Sequence, residues 1–295
     1  MTTIQAGWEA LAALQRFRWL TSWQVAKLFF LGRRNLSGEV RGNEAARKAA
    51  NERCLRRLKD RQLIEARQAV LRSGPNWIRR EYNVLTIQGH QLLRDHQVAH
   101  GEQPTEWDAR RVEIAPESLA HALLVNDVAI ALLRSCEHHE WSLLAWIDDF
   151  AALAGRSQVS FERFIPDAAA LIEQRDRRAL YLIEADRGTE PVASEASNSW
   201  RSKVRRYQTY LTDAYASDAF FAAQPDPIIL TVTSSPERLV NLMTETRRTG
   251  ASDRWWFTCI DWIEPPYDAL GPIWRRPTGG DAFYSLLDEM AARPA

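Results

Sequence analysis

Apolar residues recur at helical spacing near the start of the chain: Trp8, Leu11, Leu14 and Phe17 lie three or four apart and run on to Trp19 and Leu20. This is the pattern of a helix that buries one face. Thr21 and Ser22 offer capping hydroxyls to a short second helix over 23–30, with Val25, Leu28 and Phe29 on its inner face. After a polar loop, 32–43, a third helix is expected over 44–60. Leu55 and Leu58 face inward there, and Arg47, Lys48, Arg53, Arg56, Arg57 and Lys59 occupy the rest. Extended segments over 65–71 and 78–85 flank a turn at Ser73, Gly74 and Pro75. A fourth helix follows, 86–96.

Beyond a linker-like stretch the pattern changes. A helix over 117–136 is apolar on nearly all sides and so expected to be buried. Extended runs then fall at 142–147, 160–172 and 179–185, followed by a helix at 194–215, a run at 227–233, a helix at 237–248 and a run at 255–260. That order predicts an α/β domain with mixed connections. The tail after Pro265 is proline-rich with one short helix, 281–290. The expected organisation is a first domain at 1–97, a linker at 98–115, a second domain at 116–264 and a C-terminal extension at 265–295. No internal repeat or low-complexity segment is visible.

Composition narrows the classes. No uninterrupted apolar run approaches the roughly 20 residues of a spanning helix, and Met1 to Gln5 lack a signal-peptide layout, so no membrane partner is expected and the cytoplasm is the default location. Cys54, Cys136 and Cys259 are odd in number, far apart and in no C-x-x-C pair, which predicts buried thiols rather than disulfides or a zinc site. The net charge of zero conceals a split: residues 1–111 carry 20 basic and 11 acidic side chains, and 112–295 carry 18 and 27. Only four bases are lysines, and Lys203 is alone among them in the second half.

Three helices followed by a hairpin is the order of a winged helix-turn-helix, whose third helix enters the DNA major groove while the hairpin touches the backbone. The third helix taken alone also reads as a solvated face held by pairs such as Glu52 with Arg56. Its basic residues, together with Arg79 and Arg80 on the hairpin and Arg33, Arg34 and Arg41 in the preceding loop, favour double-stranded DNA as the partner. Trp77, beside the hairpin tip, is the aromatic expected to touch it. A homodimer stands as a further partner.

Candidate chemistry lies in the second domain, where Asp167 and Glu184 sit in apolar segments (FIPDA, LIEAD). A buried carboxylate is costly unless paired with a cation. Two on neighbouring strands can share a Mg²⁺ ion, which suits phosphodiester cleavage. The run Pro166-Asp167, a gap of sixteen residues, Glu184-x-Asp186-Arg187-Gly188-Thr189-Glu190, then Lys203 and Tyr207, resembles the replication-relaxation family of plasmids and integrated mobile elements. The likeness extends over about 8–262 and includes His121 and Asn126-Asp127.

That resemblance implies a winged helix followed by a PD-(D/E)XK restriction-endonuclease-like α/β domain, with other mobile-element proteins as partners. It implies Asp167, Glu184 and the Ala185 carbonyl as ligands of Mg²⁺ or Mn²⁺, with Lys203 projecting back into the site and Tyr207 contacting phosphate. The chain departs from the superfamily pattern at Asp186, which stands where a lysine is usual. Three readings stay open: a metal-dependent nickase acting in replication, mobilisation or DNA processing; a transcription or replication regulator whose nuclease-like domain serves contacts only; and a structural network of Asp167, Glu184, Arg187 and Lys203. Arg201, Lys203, Arg205 and Arg206 form a cationic strip in the sequence. The histidine pairs His96/His100 and His138/His139 lack a third patterned ligand for zinc. No P-loop, nucleophile elbow or dinucleotide fingerprint is present.

Overall fold

A computed structural model describes residues 3–30, 43–73, 76–148, 166–218, 221, 224–251, 254–263 and 268–292. The loop arginines Arg33, Arg34 and Arg41, and the first part of the extended run expected at 160–172, lie outside them. The protein is a mixed α/β chain whose contacts divide it into two units, Met1–Ile130 and Ala131–Ala295. The division falls inside the long helix, further along than the start of the second domain expected at 116.

In the first unit α1 (Thr3–Phe17) buries Ala6, Ala10, Leu11, Leu14 and Phe17 along one stripe. It stops at Arg18, whose φ of 64° turns the chain. Thr21 caps α2 (Ser22–Phe29) through a full capping box with Gln24. Asn43 caps α3 (Glu44–Asp60), which buries only Asn51, Cys54, Leu55 and Leu58. Strands β1 (Ile64–Ser73) and β2 (Asn76–Leu85) form an antiparallel hairpin in unbroken register from Ile64 opposite Leu85 to Ser73 opposite Asn76. Helix α4 (Ile87–Ala99), capped by Thr86, packs close to the end of α3: a Cβ on Gly89 would meet the Leu63 carbonyl oxygen at 2.0 Å, so only glycine fits.

The unit is completed by the first half of α5 (Pro116–His139). Leu119 and Leu123 join Trp19, Leu71, Tyr82, Val84 and Val112 in one buried cluster. Asn126 donates its amide to the Phe17 and Trp19 carbonyls at 3.2 and 2.7 Å, bracing the left-handed turn at Arg18, and Lys27 pairs with Asp127 at 3.3 Å. By length and composition alone α5 could cross a membrane, but 56% of its apolar window is buried in the protein, and Asn126 and Asp127 interrupt it.

The second unit is built on a five-stranded sheet of order β3-β4-β5-β6-β7, formed by β3 (Ser142–Ile147), β4 (Ala168–Gln174), β5 (Arg177–Asp186), β6 (Ile228–Thr233) and β7 (Trp255–Cys259). The first three strands are antiparallel, and β5, β6 and β7 run parallel. Every residue of β6 and β7 is buried, which explains their near-continuous apolar sequence. On one face lie α6 (Trp200–Thr209) and α7 (Pro236–Arg248), whose Trp200, Val204, Tyr207, Leu239 and Leu242 pack on Leu182, Ile229, Trp255 and Phe257. Helix α6 starts at Trp200, six residues later than expected, because Ser199 caps it and also ties back to the Ser194 carbonyl at 2.7 Å, holding 194–199 in turns.

The tail is part of this unit. Arg275 and Phe257 exchange two backbone hydrogen bonds of 2.8 Å, and Trp274 is buried with its indole N–H on the Ala269 carbonyl at 2.8 Å. A small hairpin of β8 (Pro272–Trp274) and β9 (Tyr284–Ser285) leads into α9 (Leu286–Ala292), after the one-turn α8 (Ile260–Ile263) that follows β7. The helix expected at 281–290 therefore begins at Leu286.

Candidate functional site

In the first unit α3 keeps most of its cations on the outside, Arg47 being half-buried. Lys48 pairs with Glu44 at 2.8 Å and Lys59 with Glu81 at 3.1 Å, while Arg53, Arg56 and Arg57 are exposed and make no ion pair among the described residues. The Glu52–Arg56 pair of the solvated-face reading is not formed. Alternation along β2 puts Trp77, Arg79 and Glu81 on one face, and Ile78 and Tyr82 on the other, against the core. The Lys59–Glu81 contact shows that the first of these faces adjoins α3. Trp77 is 68% exposed there. Arg80, exposed as well, falls on the opposite face, so Arg79 rather than the pair extends the α3 surface.

In the second unit four of the five candidate catalytic residues come together. Asp167 precedes β4, and its backbone N–H donates to the Ile183 carbonyl at 3.0 Å, which places it beside Glu184 on β5. Its carboxylate accepts the Ala185 N–H at 2.8 Å. Glu184 is 1% exposed. From α6, Lys203 donates to one Glu184 oxygen at 2.7 Å and the Tyr207 hydroxyl donates to the other, because 203 and 207 are one helical turn apart on the face that meets the sheet. Glu190 lies 3.7 Å from Lys203.

The electrostatics follow from burial. Burial pushes the Glu184 carboxyl up to about 7; the Lys203 charge pulls it down, Asp167 adds to the rise, and the hydrogen bonds from Lys203 and Tyr207 oppose it. For Lys203 burial works against the ammonium, yet Glu184, Asp167 and Glu190 outweigh it and hold the group charged above its ordinary range. Burial first, and the Glu184 charge second, keep the Tyr207 phenol protonated well above its usual range, so it stays a donor.

Asp186 has different partners. Two residues beyond Glu184, it takes a two-pronged ion pair from Arg238 at 2.9 and 2.9 Å and a hydroxyl from Thr233 at 2.7 Å. Arg238 also donates to the Glu190 carbonyl at 2.8 Å, so this pair fixes the turn from Asp186 to Glu190. Within that turn Gly188 has a φ of +74°, a conformation that favours glycine. Asp186 thus anchors a loop, and the ammonium beside Glu184 comes from α6. Arg238 was missed in the sequence. Its signal was a base in the first turn of a helix, where the helix dipole disfavours positive charge unless a carboxylate is present.

Other candidates resolve into structure. The strip on α6 is largely neutralised: Arg201 pairs with Glu245 at 2.5 Å and Glu195 at 2.8 Å, Arg205 pairs with Glu195 at 2.7 Å, and Arg206 donates to the Ser197 carbonyl. His96 stacks between Trp8 and His100, and His139 meets Asp268. No group of three or more metal-ligating side chains occurs among the described residues. The three cysteines are free and buried.

A basic helix-and-hairpin unit followed by a mixed-sheet unit with a buried acid–lysine cluster defines the class: a two-part α/β protein with one exposed basic helix face and one buried charged site. Residues 11–222 match the model of the replication-relaxation family, and the chain belongs to it. The match covers Asp167, Glu184, Lys203 and Tyr207 and ends before β6, short of the likeness seen out to 262. Membership carries a role in the replication or relaxation of plasmids and mobile elements. No curated protein and no solved structure matches the chain.

Proposed function

We propose that this is a DNA-binding protein of a mobile element that holds duplex DNA with its first unit and cleaves a strand with its second. The first unit acts as a winged helix, with α3 in the major groove and Trp77 and Arg79 of the hairpin against the backbone. The second acts as a PD-(D/E)XK-like domain. One observation carries the reading: Asp167, Glu184, Lys203 and Tyr207, scattered over forty-one positions, meet in one buried cluster that an apolar core would not otherwise retain.

The donor set suits Mg²⁺ or Mn²⁺. Three carboxylates, Asp167, Glu184 and Glu190, surround the single ammonium of Lys203. Magnesium is commonly bound by one or two carboxylates plus substrate phosphate, so a complete protein cage is not required. Asp167, Glu184 and the Ala185 carbonyl would hold it, and it supplies water activation and charge neutralisation at a phosphate. Lys203 offsets charge on the scissile phosphate. Tyr207 fixes the Glu184 carboxylate, and the Asp186–Arg238 pair holds the loop that carries Glu190.

One observation favours the second reading, a regulator without catalysis: both Glu184 oxygens are already engaged, by Lys203 and Tyr207. Incubation with supercoiled, linear, nicked and single-stranded DNA, with and without Mg²⁺ or Mn²⁺, separates the two. Divalent-dependent cleavage is expected. Glu184→Gln and Lys203→Arg should each lower it by about a hundredfold, the scale of losing a transition-state charge contact, with DNA retention unchanged. Retention without cleavage on every substrate overturns the nuclease reading in favour of the regulator.

A further inference from the structure

In the first unit α1, α3 and α4 enclose a pocket of about 370 Å³, a size that suits a small-molecule ligand. Its walls are apolar: Trp8 and Leu11 come from α1, Leu58 from α3 and Leu92 from α4. The Trp8 ring is held by His96, with 4.1 Å between ring centroids, so this wall stands before anything binds. Arg57, Asp60 and Arg61, all exposed, form the rim at the end of α3. Arg57 and Arg61 are four residues apart, so their side chains leave the helix on one face, and neither makes an ion pair among the described residues. With Asp60 beside them the rim keeps one net positive charge.

Gly7 leaves the pocket open. It lies inside α1, and a Cβ built there would meet only Leu58 Cδ2 among the described residues, at an ordinary contact distance of 3.8 Å. Gly89 is the contrast, since a Cβ there would strike the Leu63 carbonyl. Packing thus demands glycine at 89 and not at 7, and a glycine inside a helix weakens it relative to alanine. What Gly7 does instead is keep the space beside Leu58 unfilled.

We propose that this pocket binds a small apolar monocarboxylate, its body against Trp8, Leu11, Leu58 and Leu92 and its carboxylate on Arg57 and Arg61. Apolar walls supply affinity, and the planar guanidinium fork pairs with a carboxylate in two-pronged geometry that fixes orientation. Asp60 on the same rim disfavours a second negative charge, which selects a monoanion over a phosphate dianion. The site uses no residue of the second unit and depends on neither the metal nor the DNA reading.

The test is isothermal titration calorimetry of the full-length protein with naphthaleneacetate, an apolar aromatic monocarboxylate, and with naphthaleneacetamide, the same body without the charge. The carboxylate should bind one per chain and about tenfold more tightly than the amide. Arg57→Gln combined with Arg61→Gln, at exposed positions that the fold does not need, should bring the carboxylate down to the affinity of the amide. Gly7→Leu should fill the pocket and weaken both compounds at least roughly tenfold, with an unfolding temperature no lower than wild type because a helix-interior glycine is gone. If neither compound binds wild-type protein at millimolar concentration, the site is overturned. Equal affinity for carboxylate and amide overturns the anion assignment. Undiminished binding by Gly7→Leu puts the ligand elsewhere and overturns the pocket. Should Gly7→Leu fail to fold, the double arginine variant decides, and unchanged carboxylate affinity there overturns the proposal.

Discussion

The two units use charge in opposite ways. On α3, Arg53, Arg56 and Arg57 are exposed and make no ion pair among the described residues, whereas in the second unit Glu184, Lys203, Asp186 and Arg238 are largely withdrawn from water and each is answered by another. An unpaired exposed guanidinium costs little to keep and is available to a phosphate, so such a surface can be mobile and still bind. A buried carboxylate must have its partners in place before anything binds, so such a site demands a rigid sheet and helix beneath it. The net charge of zero is the sum of these two arrangements and describes neither.

The largest expected effect breaks the comparison on its first side. Reversing Arg53, Arg56 and Arg57 to glutamate in the full-length protein should weaken duplex binding by at least roughly a thousandfold at moderate salt and flatten its salt dependence, measured by fluorescence anisotropy. The unfolding temperature should hardly move, because these side chains are exposed. Unchanged affinity would mean that α3 is only a solvated face.

The second prediction sharpens the difference between Asp186 and Glu184. Arg238→Met leaves Asp186 buried without its ion pair and should cost about 3 kcal/mol or more in chemical denaturation, because a lone buried charge is what such a change exposes. Replacing Asp186 and Arg238 together by apolar residues should recover much of that loss. A Lys203→Arg protein, by contrast, should lose cleavage while staying folded. If Arg238→Met left stability unchanged, the anchoring role of Asp186 would fail.

The smallest effect is a pH dependence carried mainly by the second unit, although burial also raises Cys54 in the first. Burial pushes Cys136 up to about 12 and Cys259 up to about 11, and raises Tyr210 through burial and its hydrogen bond to Asp218. These are acids whose folded form holds the proton longer than the unfolded chain, so the unfolded state loses protons first as pH rises. Their stability contribution is intact below the ordinary thiol value of 9 and declines from there upward. Calorimetry between pH 7 and 11 should show an unfolding temperature that falls by a few degrees, less steeply in Cys136→Val. A flat profile would place these groups in contact with water.

Much of the first unit was legible because its signals are local. Capping residues and a 3.6-residue apolar stripe each act within one element, and Thr21 caps the helix whose start it marked; Asn43 and Thr86, not read as caps in the sequence, cap the next two. What escaped was the unit's extent. Leu119, Leu123 and Asn126 finish the first core from a helix expected to belong to the second domain, and a fragment cut at 111 would lack them. Long-range packing leaves no mark on periodicity.

The sequence by itself determined the order of helices and strands and the basic character of α3, since these depend on side-chain chemistry and short-range spacing; the residues that meet around Glu184 were named by the family resemblance, not by spacing. Only the tertiary structure decided which charges are neutralised, because pairing depends on which elements the fold makes neighbours. Arg201 and Arg205 are spent on Glu195 and Glu245, Asp186 belongs to Arg238, and Lys203 belongs to Glu184.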